Sequence, residues 1–86
     1  GLKMAEAIGI RLDEEVLSKI MKLSKEESLD RSTIIRKLLI LGYKELIKEK
    51  AAENYKKGRI TLSAAANMAE ITVWEMENYL VEEGFK

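Results

Sequence analysis

Apolar and polar residues alternate with period two in one stretch only, Ala5-Glu6-Ala7-Ile8-Gly9-Ile10-Arg11-Leu12, and that alternation predicts a single β-strand. Ile8, Ile10 and Leu12 fall on one face, with Ala5, Ala7, Gly9 and Arg11 on the other. No second segment alternates in this way, so a strand here has no partner within its own chain. Pairing with the same strand of another copy satisfies its backbone groups and covers its apolar face, which predicts a homodimer.

The remaining apolar positions recur every three to four residues. Asp13 is placed to cap a helix A that carries Val16, Leu17, Ile20 and Leu23 on one side and Lys19, Lys22, Lys25 and Glu26 on the other, ending near Glu27. Asp30 caps a helix B whose first turn is Arg31, Ser32 and Thr33 and whose apolar positions are Ile34, Ile35, Leu38, Leu39, Leu41, Leu46 and Ile47. Gly42 lies inside that pattern, either at a close helix contact or at a kink, and Lys56-Lys57-Gly58 reads as the stop. Thr61 caps a short helix C with small positions Ala65, Ala66 and Ala69. Thr72-Val73-Trp74-Glu75 fits a capping box and opens a helix D that turns Val73, Met76 and Leu80 inward and stops at Gly84.

The expected fold is therefore mostly α. An intermolecular two-stranded antiparallel ribbon and helices A and B make a dimerisation domain over residues 1–50, and residues 51–86 form a helical pair resembling a helix-turn-helix. Dimerisation falls to Ile8, Ile10 and Leu12 on the ribbon and to Ile35, Leu38 and Leu39 on helix B.

Composition narrows the chemistry. At 86 residues the core is small, and association is a natural way to enlarge it. The chain has neither cysteine nor histidine, which removes disulfides, thiolate sites, the commonest general base and the commonest metal ligands. Its carboxylates fall on solvated faces or caps with no nucleophile, phosphate loop or metal spacing beside them, so no enzyme, cofactor or metal is expected. No apolar run approaches the ~18 residues of a membrane span and no signal pattern opens the chain, which points to the cytoplasm. The net charge is zero; residues 1–50 carry 11 Lys/Arg against 9 Asp/Glu and residues 51–86 carry 4 against 6. Any DNA site must then come from local placement of charge and amides.

The order strand, helix, capped turn, helix resembles the ribbon-helix-helix family of DNA-binding proteins of the Arc, MetJ and CopG types. The residues that carry the likeness are Ile8-Gly9-Ile10-Arg11-Leu12-Asp13-Glu14-Glu15-Val16-Leu17 and Leu29-Asp30-Arg31-Ser32-Thr33-Ile34-Ile35-Arg36, within a match over about residues 5–47. That resemblance implies a ribbon in the major groove with Ala7, Gly9 and Arg11 facing the bases, of which only Arg11 can hydrogen-bond to them. It also implies a phosphate clamp at the amides of Arg31, Ser32 and Thr33. Ala7 and Gly9 depart from the polar residues usual in the family.

Residues 51–86 resemble a family of small antitoxins paired with PIN-type ribonuclease toxins, through Tyr55-Lys56-Lys57-Gly58-Arg59-Ile60-Thr61-Leu62, Ala65-Ala66, Met68-Ala69, Ile71-Thr72-Val73-Trp74-Glu75-Met76, Leu80 and Gly84. Glu70 stands where that family usually has glycine. Together the two likenesses imply a sequence-specific repressor of its own operon that neutralises a PIN-type toxin, with double-stranded DNA, a second copy and the toxin as partners and no membrane. Trp74, Met76 and Tyr79 are the candidate toxin contacts, with core packing the competing role for Trp74. Helix D carries Glu75, Glu77, Glu82 and Glu83 and no Lys or Arg, which argues against a second DNA reader there. The alternative function is a dimeric protein-interaction module that binds no DNA, and a third is a tail that only adds a dimer contact.

Overall fold

The computed structural model describes residues 5–85, and within them the chain is all-α. Four helices follow one another: α1 (Glu14–Glu27), α2 (Arg31–Lys56), α3 (Leu62–Met68) and α4 (Val73–Glu82). Residues 5–13 form neither helix nor strand, and no strand occurs among the described residues. The expected ribbon of a ribbon-helix-helix fold is thus not part of this architecture. Alternation alone does not hold a strand, which needs a neighbouring ladder, and every element downstream is helical. The segment itself is poor in strand formers, with Ala5, Glu6, Ala7 and Gly9 among its first five residues.

The helix starts follow the capping residues. The Asp13 carboxylate accepts the Val16 amide at 2.9 Å, the Asp30 carboxylate the Thr33 amide at 2.8 Å, and the Thr61 hydroxyl the Ala64 amide at 3.0 Å. All four helices end in the same way, on a residue in left-handed conformation: Ser28 (φ 55°), Gly58 (φ 74°), Glu70 (φ 58°) and Gly84 (φ 86°). At each end the residue after it donates its amide five positions back, Leu29 to Ser24, Arg59 to Asn54, Ile71 to Ala66 and Phe85 to Leu80, which is the Schellman pattern. The Ser24 hydroxyl also donates to the Leu29 carbonyl.

Two compact units divide at Arg36. In the first, Ile20 and Ile34 are buried. In the second, Ala51 and Ala52 of α2 pack with Ala65, Ala66 and Ala69 of the α3 region and Met76, Tyr79 and Leu80 of α4, and α3 and α4 pack on each other. Alanine on both sides of the junction lets the helices approach closely around Met76, which is fully buried. Gly84 turns the chain so that the Phe85 ring meets Tyr55 edge-on at 5.8 Å. Val73, expected inward, is 40% exposed, and Tyr79 takes the inward place.

Candidate functional site

In the first unit the expected base-reading residues Ala7, Gly9 and Arg11 lie on an irregular, exposed arm. The expected dimer contacts Ile8 and Ile10 are 82% and 64% exposed on the same arm, and Leu12 is less so. At the start of α2 Arg31 and Ser32 are exposed and Thr33 is half-buried. The Thr33 amide is already taken by Asp30, whose carboxyl is held below its usual range by the hydrogen bonds from Thr33, with Arg36 adding to the effect. The amides of Arg31 and Ser32 are the part of the expected clamp that Asp30 leaves alone.

In the second unit α2 is unusual from residue 38 to residue 46. Leu38, Leu39, Ile40, Leu41, Tyr43 and Leu46 are all exposed, on every side of the helix. Helices apolar all round belong in interiors. Leu38, Gly42 and Leu46 stand one turn apart with Leu39 beside them, and a Cβ added at Gly42 would meet nothing within 4 Å. α2 runs unbroken through Gly42 and nothing packs over it among the described residues, so its backbone lies bare in the middle of an apolar stripe.

The three candidate toxin contacts part company in α4. Trp74 is 70% exposed, whereas Met76 and Tyr79 belong to the core. Burial pushes the Tyr79 hydroxyl up to about 12, helped by the nearby carboxylates of Glu83, Glu45 and Glu49, and the Lys48 ammonium sits 5.0 Å from its ring centre. Met76 and Tyr79 therefore support the surface of α4 from beneath.

Between α2 and α4 runs an open groove of about 800 Å³. Leu39, Ile40, Tyr43 and Ile47 line it from α2, Glu75, Asn78, Tyr79 and Glu82 from α4, and Glu70 and Ile71 from the turn between α3 and α4. Glu75 is fixed by the capping box, and the hydrogen bonds from Thr72 hold its carboxyl below its usual range. Ile40 and Tyr43 were not singled out from the sequence, although the signal was there: apolar residues on all sides of α2 exceed what one buried face needs. Among the described residues no cluster of three or more acidic side chains could hold a metal ion, and no helix is long and apolar enough to cross a membrane.

Over the described residues these features define a small all-α protein with one bare apolar stretch of helix and one acidic-edged groove. The chain belongs to the uncharacterised protein family UPF0175, whose model matches residues 4–86. No curated protein and no solved structure matches it.

Proposed function

We propose that the protein is a self-associating, DNA-binding regulator of the antitoxin type, acting in the cytoplasm on its own operon and neutralising a PIN-type ribonuclease. The observation that carries association is the stripe Leu38, Leu39, Gly42 and Leu46 on α2, exposed and apolar with a bare backbone at its centre. A second α2 crossing at Gly42 buries both stripes, and glycine there permits the close approach. Association then presents two arms bearing Arg11 and two α2 starts bearing Arg31 and Ser32. Arms that reach into a groove need no strand structure of their own.

The even charge supports a second reading, a dimeric protein-interaction module without DNA binding, because each unit lacks the basic surplus of a strong electrostatic binder. Binding to duplex DNA measured against salt concentration, for the native chain and for Arg11→Ala, separates the two. The regulator requires salt-dependent binding that Arg11→Ala weakens, and its complete absence sinks the DNA part. Association is tested by sedimentation: Leu38→Asp with Leu46→Asp should give a monomer.

A further inference from the structure

We infer that the groove between α2 and α4 seats an amphipathic helix of another protein, one whose apolar stripe is flanked by lysines or arginines. This rests on the partner-binding part of the reading above and gives it a surface and a chemistry. The floor is apolar, with Ile40 and Tyr43 more than half exposed in the free chain. Both walls are helices whose backbone groups are satisfied internally, so an extended peptide finds no edge to pair with. A helix brings its own satisfied backbone and needs only a groove.

Charge chooses the helix. Glu70, Glu75 and Glu82 stand along one edge, and none forms an ion pair among the described residues. On the facing wall the Lys48 ammonium is 3.3 Å from Glu45 and also acts on Glu75, so the lining sets three carboxylates against Lys44 and a Lys48 shared with Glu45. An uncharged apolar ligand would leave that edge unanswered. A second copy answers that edge less well, because its exposed α2 stripe is bordered by Glu45 and Glu49 as well as by Lys50 and would set some carboxylates against carboxylates.

The test uses the full chain and fluorescence anisotropy with three designed peptides: a leucine–lysine amphipathic helix, its leucine–glutamate counterpart, and the lysine peptide interrupted by prolines. The lysine helix should bind with an affinity that falls as salt rises, and the other two should bind at least about tenfold more weakly. Combining Glu70→Lys with Glu82→Lys should weaken the lysine helix about tenfold, while Glu77→Lys, on α4 but outside the groove lining, leaves it within about twofold. Equal binding of the glutamate or proline peptide, or indifference to the double charge reversal, overturns the inference. So does dissociation of the dimer by Ile40→Ser, which would make the groove the self-association face. DNA binding is read on the same samples: if it persists while peptide binding fails, the groove falls and the regulator stands; the reverse result removes the regulator and leaves the groove.

Discussion

The Thr72 hydroxyl accepts the Glu75 amide at 3.0 Å while the Glu75 carboxylate accepts the Thr72 amide at 2.9 Å, so each residue closes the other's open backbone donor. This reciprocal pair sets where α4 begins and therefore where the groove's acidic edge points. Thr72→Ala should destabilise the fold by about 1 kcal/mol, measured by urea unfolding, with the change in midpoint rather than in slope.

Three carboxylates sit below their usual range for named reasons: Asp30 through Thr33, Glu53 through Lys57 at 2.8 Å, and Glu75 through Thr72. A folded-state value lower than the unfolded one stabilises the protein above the unfolded value and loses that contribution as pH falls through the folded one. Thermal stability should therefore hold from neutral pH down to about pH 5 and decline below it. Tyr79 has the opposite sign. Its raised value, about 12, gives a contribution that is complete below pH 10 and disappears as pH climbs from there. Tyr79→Phe should flatten the alkaline limb and leave the acid limb in place.

Glu70 carries φ 58°, a conformation that favours glycine, at the end of α3. Glu70→Gly should stabilise the chain by on the order of 1 kcal/mol, read as a raised unfolding midpoint. Ser28→Gly at the end of α1, with φ 55°, should act in the same direction.

Two neighbours on α4 should answer truncation very differently. Met76 is fully buried, and Met76→Ala should cost about 2–5 kcal/mol through lost contacts and the cavity left behind. Trp74 is mostly exposed, and Trp74→Ala should stay within about 0.5 kcal/mol of the native stability.

The helices were legible because each start has a side chain that can accept from the first turn and each stop has a sequence break. Asp13, Asp30, Thr61 and Thr72 all cap as expected, and α2 runs unbroken through Gly42. The ribbon was misread because period two in a stretch rich in alanine and glycine has no strand of its own chain to pair with. Beyond the apolar surplus of α2, the groove was not legible. It depends on which residues of α4 face α2, and Val73 and Tyr79 exchange the places that spacing alone assigned to them.

The uneven burial of α2 has a consequence for its motions. One unbroken helix holds Ala51 and Ala52 buried near one end, Ile34 buried near the other, and a bare leucine-rich stretch between them. Its backbone hydrogen bonds are therefore not equally protected. Amide protons of residues 38–46 should exchange with deuterium through local opening of the helix, and those near residues 51–55 only through opening of the whole second unit. A partner that covers the bare stretch slows only the first class, so exchange rates along a single helix become a map of what has bound and where.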